Sequence, residues 1–242
     1  MNNQNHSLKR IEAILNKKAM IIYLIIVFLF LSFSTITEQK GKWYLKKDKN
    51  GIKVYIRSEP VTGLPEFKGE AKIKAPLSSL VAVLRDVEEY PQLLPGTTSA
   101  SLLKNKQDVQ ISYLTHKCPF PFTDRDGIYN SAFYSDPVNG LFKIRITGLP
   151  DYLPRQPEKV RVTNVKGLWM LQSENDGMVK VVYQQYADTG GIPNWLTKLF
   201  SVNIPFKALT CLSKQVKLDK YQNNDIGDIS TSDELDSFTM IH

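Results

Sequence analysis

Six stretches of this chain alternate apolar and polar side chains with a period of two, and nothing else in the sequence restricts the fold as much. Ile52, Val54 and Ile56 alternate with Lys53, Tyr55 and Arg57; Phe67, Gly69, Ala71 and Ile73 alternate with Lys68, Glu70, Lys72 and Lys74. The same period recurs over 109–115, 142–146, 160–165 and 179–186. A strand of this kind buries one face and wets the other, as antiparallel sheets do. Asn50-Gly51, Asn139-Gly140 and Asp176-Gly177 supply residues that tolerate positive φ. The last two sit between consecutive strand-like runs, so antiparallel hairpins are expected.

Two stretches switch to helical spacing. Pro76 opens the first, with Leu77, Leu80, Leu84 and Val87 on one face, and Pro91 is expected to close it. The second starts at Pro193 and runs toward Tyr221; its apolar residues Trp195, Leu199, Phe206, Leu209, Leu212 and Val216 fall roughly three to four apart, and Pro205 is expected to kink it. The order is two strands, a helix, about six strands and a long terminal helix. That predicts an α+β fold: one antiparallel sheet with a helix able to pack across it.

The ends differ from this middle. Ala19 to Ile36 carries no charge and follows Lys9, Arg10, Lys17 and Lys18. As a helix it spans about 27 Å, close to the hydrocarbon thickness of a bilayer. Positive charge on its N-terminal side predicts delivery of the rest outward, to the periplasm or the outer face of the inner membrane. Ser32-Phe33-Ser34 resembles a signal-peptidase site, whereas the long segment ahead of the run argues for an anchor. Both outcomes stay open. The expected divisions are a basic segment 1–18, a signal peptide or membrane anchor 19–37, a domain 40–221 and an acidic, disordered tail 222–242.

Net charge is +7, but it is unevenly placed: residues 222–242 hold five acids and no Lys or Arg, so residues 38–221 carry +9. The lysines are scattered along strand-like stretches without an Arg cluster, which argues against nucleic acid and for a solvated face with affinity for anionic headgroups. Two cysteines and three histidines are too few for a disulfide scaffold or a multi-histidine metal site, so no metal and no cofactor are expected. No GxGxxG, Walker, HExxH, CxxC or GxSxG motif is present. His116 and Cys118 share a strand face, but a thiol before Pro119 reads as a small buried hydrophobe and His116 as a surface residue rather than a thiol–imidazole pair. Arg125 and Asp126 read as an ion pair tying a strand end to its neighbours, not as catalytic groups.

Five ordered blocks over about residues 42–218 carry a resemblance. Trp43 with 47–55 (Lys47-Asp48-Lys49-Asn50-Gly51-Ile52-Lys53-Val54-Tyr55), Asp86-Val87-Glu88-Glu89-Tyr90-Pro91, Pro119-Phe120-Pro121 with Asp124-Arg125-Asp126, Gly167-Leu168-Trp169, and Val182-Tyr183 through Asp188–Leu196 follow one another as in START (StAR-related lipid-transfer) domains, particularly the bacterial group. The resemblance implies a helix-grip fold, a curved antiparallel sheet with a long C-terminal helix over a hydrophobic cavity. It also implies non-catalytic binding, and intermembrane transfer, of one lipid. Sterol-binding members place a buried Arg six residues after the Arg of the Arg-Asp pair; here that position is Ser131, so the charged sterol anchor is absent.

By alternation Tyr129 and Phe133 share the face of Ser131, and these three either line the cavity or belong to the ordinary core. From the terminal helix, Trp195, Leu199, Phe206 and Leu209 are expected to contact either lipid or sheet, and are taken as lipid-binding. Cys118 and Cys211 come within reach of a bridge if that helix covers the sheet. A monomer that meets a membrane surface is expected. Two other classes stay open: an enzyme of the same grip fold, a cyclase or hydrolase with a greasy substrate, and a membrane-surface module whose basic face matters more than any cavity.

Overall fold

The computed structural model describes residues 41–222; the apolar run 19–36, the basic segment before it and residues 223–242 lie outside the described residues. Three strands open the domain: β1 (Tyr44–Lys49), β2 (Ile52–Ser58) and β3 (Pro65–Lys74). Asn50 and Gly51 both take positive φ, 54° and 73°, and turn β1 directly into β2. Helices α1 (Leu77–Arg85) and α2 (Tyr90–Leu93) follow, separated by a 3₁₀ turn at Val87–Glu89. Then come β4 (Thr97–Asn105), β5 (Val109–His116), β6 (Arg125–Asp136), β7 (Leu141–Gly148), the short β8 (Val160–Arg161), β9 (Thr163–Ser173) and β10 (Met178–Asp188). Helix α3 (Asn194–Gln215) and a 3₁₀ turn at Asp219–Tyr221 follow β10.

All ten strands form one sheet in the order β1-β2-β3-β10-β9-β7-β6-β5-β4, antiparallel except where β8 pairs with β6. One antiparallel sheet with a helix across it is the α+β arrangement that the alternation and the helical tail predict, and the helix-grip fold is the one the resemblance implies. Three details differ. The edge strands β1 and β4 escape alternation because both are largely exposed and rich in polar residues, as edges that must not recruit another chain are. The run 160–165 is two strands, since Asn164 takes φ 45° and β8 leaves to pair with β6. Pro91 does not end the first helix; it sits in the first turn of α2, where its missing N–H costs nothing.

The core lies between the concave face of the sheet and the helices. Leu80, Val81, Val83 and Leu84 of α1 are buried, as are Ala208, Leu209 and Leu212 of α3 and Val216 at its C-cap. Residues 208, 209 and 212 make one stripe down the C-terminal half of α3, continued by Val216, and the helix packs on β3 and β2. Gly69 on β3 makes this approach possible: a Cβ there would lie 2.9 Å from Leu209 Cδ1 and 3.0 Å from Pro205 Cβ. Fully burying a side chain such as Leu209 or Leu212 contributes about 1.5–3 kcal/mol. Beyond the helix, Tyr221 donates to Asp86 at 2.8 Å and Lys220 bridges Asp86 and Glu89 at 3.1 and 2.9 Å, fastening its C-terminal end to the α1–α2 turn.

Candidate functional site

The N-terminal half of α3 faces the sheet across an open space. Between them lies a cavity of about 420 Å³. Its sheet wall is built from alternate residues of neighbouring strands: Phe67 on β3, Leu114 on β5, Tyr129 and Ser131 on β6, Ile146 on β7, Trp169 on β9 and Tyr183 on β10. Leu199, Phe200 and Ile204 of α3 face it, and Leu84, Tyr90 and Leu93 close one side. Trp169 and Tyr183 are direct cross-strand partners, and their rings stack 3.9 Å apart at 4°. Phe67 meets Tyr183 edge-on at 4.9 Å, so three aromatic rings form one continuous wall.

Among the polar groups of the sheet wall, His116, Tyr129 and Tyr183 have hydrogen-bond partners. His116 Nε2 lies 3.1 Å from the Tyr129 hydroxyl and its Nδ1 lies 3.2 Å from Thr97 Oγ1. Burial pushes the His116 imidazole down to about 4, against a smaller opposing pull from Asp126, so the ring is neutral at pH 7. Burial likewise pushes the Tyr129 and Tyr183 phenols well above the ordinary tyrosine range. The Tyr183 hydroxyl donates to Gln185 Oε1 at 3.0 Å. These groups can orient a ligand through hydrogen bonds without presenting a charge.

The residues singled out from sequence divide into three groups. Tyr129, Ser131 and Leu199 line the cavity. Phe133 and Leu209 are buried, and Phe206 is packed against the same core. Phe133 lies beside the Phe142 ring and under the Arg85 guanidinium, which sits 4.3 Å from its centroid. The Phe206 ring carries Lys47 Nζ at 3.7 Å. Trp195 stands 68% exposed on the outer side of α3.

Two expectations are corrected here. His116 is not a surface residue: β5 turns it inward beside Tyr129, with the edge strand β4 supplying its second partner. Arg125 and Asp126 do not pair with each other. Successive strand residues point to opposite faces, so Asp126 meets Arg161 through two bonds of 2.9 and 2.8 Å, while Arg125 donates to the carbonyls of Thr123, Thr189 and Gly190. Burial raises the Asp126 carboxyl, but the Arg161 hydrogen bonds and charge outweigh it and hold it below its ordinary value. Cys118 at the cavity edge and Cys211 on α3 are free thiols.

Sequence reasoning missed Phe67, His116, Tyr183 and the placement of Trp169 as wall residues. The hairpin register held the signal for two of them: counting outward from the Asp176-Gly177 turn sets Tyr183 opposite Trp169.

No protein-family model matches the chain. The crystal structure of a STAR-related lipid transfer protein fragment from Xanthomonas axonopodis is similar to it at 38% sequence identity and a TM-score of 0.68, covering 73% of this chain and 99% of that one. An uncharacterised protein of Pseudomonas aeruginosa is 29% identical over 168 residues, which is 69% of this chain and 83% of that protein. A phosphatidylcholine transfer protein of Rattus norvegicus is 25% identical over 158 residues, 64% of this chain and 74% of that protein.

Proposed function

The chain belongs to the START (StAR-related lipid-transfer) family, and from that premise we propose that it binds one lipid in the cavity under α3 and carries it between membranes without catalysing a reaction. The observation that supports this best is the cavity: about 420 Å³, with a sheet wall dominated by aromatic and aliphatic side chains and a neutral histidine. Water gains little in such a space, whereas each buried methylene of a lipid gains about 0.8 kcal/mol. A catalyst for acyl or glycosyl chemistry would need a convergent acid and base; the lining here offers a neutral histidine held between two hydroxyls and no carboxylate. Native mass spectrometry of the protein purified from its own cells is expected to show a bound species of lipid mass. A folded protein that carries nothing and extracts no lipid from vesicles would remove the proposal.

The same reading includes export. The uncharged run Ala19–Ile36 behind four Lys/Arg favours delivery of the domain across the inner membrane, cleaved or anchored. Among the described residues no helix is long and apolar enough to cross a membrane, and the run lies outside them. A reporter enzyme active only after export, fused after His242, is expected to be active. Activity of a cytoplasmic reporter at the same position would overturn the topology.

A further inference from the structure

The ionised side chains lining the cavity are all of one sign. Arg125, Lys117 and Lys207 line it, and no aspartate or glutamate does. Arg125 is only 4% exposed, and its guanidinium donates to main-chain oxygens alone: Nε to Thr189 at 3.1 Å, Nη2 to Gly190 at 2.6 Å, and Nη1 to Thr123. Carbonyl oxygens satisfy N–H groups but do not cancel the unit charge, and the three bonds leave guanidinium donors over. Asp126, the nearest acid in sequence, is committed to Arg161 on the other face of β6. Lys117 holds Asp124 at 3.1 Å at the rim, while Lys207 has no carboxylate within ion-pair distance among the described residues. The uncapped start of α3 adds positive partial charge at the end of the cavity where Thr189 and Gly190 hold Arg125.

We propose that the site takes a single-chain amphiphile with an anionic head, a carboxylate or a phosphate monoester, with the head toward Arg125 and the chain along the Trp169–Tyr183 wall. This rests on the lipid-binding reading above and names the ligand class of that same site. A cationic or zwitterionic head would bring a positive charge into a lining without a negative one, at reduced dielectric. The volume of about 420 Å³ lies in the lower part of the range of about 300–1,000 Å³ typical of small-molecule sites, which suits one chain with a compact head.

The test is calorimetric titration of the full chain, below micelle concentrations, with hexadecanoate, hexadecyl phosphate, hexadecanol and hexadecyltrimethylammonium. At least one anion is expected to bind about tenfold or more tighter than the alcohol, the worth of one charge-assisted hydrogen bond, and the cation weakest. The tighter of the two anions identifies the head. An alcohol or a cation that binds as tightly as both anions overturns the charge selection while leaving lipid binding in place. Phosphatidylcholine that displaces hexadecanoate at equal concentration overturns the single-chain assignment. Failure of all four ligands, with no lipid uptake from vesicles, removes the lipid-binding reading and this inference with it. Arg125→Gln is expected to shrink the anion-to-alcohol ratio to about threefold or less. Because Arg125 also fastens the Gly190 turn, Lys207→Gln, on an exposed side chain, serves as the second variant and is expected to shrink the ratio about twofold.

Discussion

His116 shows how a single side chain ties the cavity to the stability of the whole domain. Its folded value of about 4 lies below the 6.5 of a free imidazole, so between those two values the unfolded chain binds a proton that the folded chain refuses. Stability is therefore full above pH 6.5 and falls as the pH drops toward 4, by about 3 kcal/mol for a shift of this size. Urea midpoints at pH 7, 5.5 and 4.5 are expected to trace that decline, and His116→Asn should flatten it. Asp126 acts in a lower window: its depressed carboxyl contributes stability above the ordinary carboxylate value that is lost only as pH falls through the folded one. Its partner Arg161 is equally buried and also donates to the carbonyls of Pro150, Leu153 and Pro154. Arg161→Met is expected to cost about 3–5 kcal/mol in urea unfolding, because it strands a buried charge. Neither role was legible in the sequence. Asp126 and Arg161 are 35 residues apart, and only the pairing of β8 with β6 joins them. The shared face of Tyr129 and Ser131 was legible, because alternation is a local property of one strand; whether Phe133 reached the cavity depended on what covers that strand.

At the scale of the element, α3 is two helices in one. Its C-terminal half buries Ala208, Leu209 and Leu212 on β3 and is fastened through Tyr221 and Lys220 to Asp86. Its N-terminal half spans the cavity with Leu199 and Phe200 and leaves Trp195 and Leu199 more than half exposed. Pro205, sitting against Gly69 where the halves meet, removes one internal hydrogen bond. Leu209→Ala is expected to cost about 2–5 kcal/mol of stability, whereas Leu199→Ala should change it by about 0.5 kcal/mol or less and weaken lipid uptake instead. Hydrogen exchange should find residues 194–204 opening faster than 206–215 and slowing when lipid is bound. Equal exchange along the helix, unchanged by lipid, would remove the division. The sequence carried the helix and its proline; it could not say where one face passes from packing against strands to roofing a void, since leucine suits both.

The whole domain joins two properties that a carrier must keep apart, an apolar interior and a basic exterior. The interior follows from alternation: inward-facing residues of ten strands converge on one concave face, and the sequence announced most of those strands but not the polar edges β1 and β4. The exterior follows from the same alternation, because the outward positions of β2 and β3 hold Lys53, Lys72 and Lys74, all exposed. The charge of +9 over residues 38–221 should draw the protein to anionic vesicles and leave loading of the cavity to local contacts. Screening separates the two. The Debye length falls from about 8 Å at physiological salt to about 3 Å at 1 M, so attraction to a surface fades while a ligand buried beside Trp169 and Tyr183 is shielded from the added ions. Transfer of a fluorescent lipid to anionic vesicles is therefore expected to slow at 1 M salt, and transfer to neutral vesicles to change little. Lys53→Gln combined with Lys74→Gln should reproduce part of that slowing at low salt and leave the amount of lipid held per protein unchanged. Loss of lipid uptake in this double variant, with the fold intact by circular dichroism, would show instead that the basic face governs loading itself, and the protein would act first as a membrane-surface module.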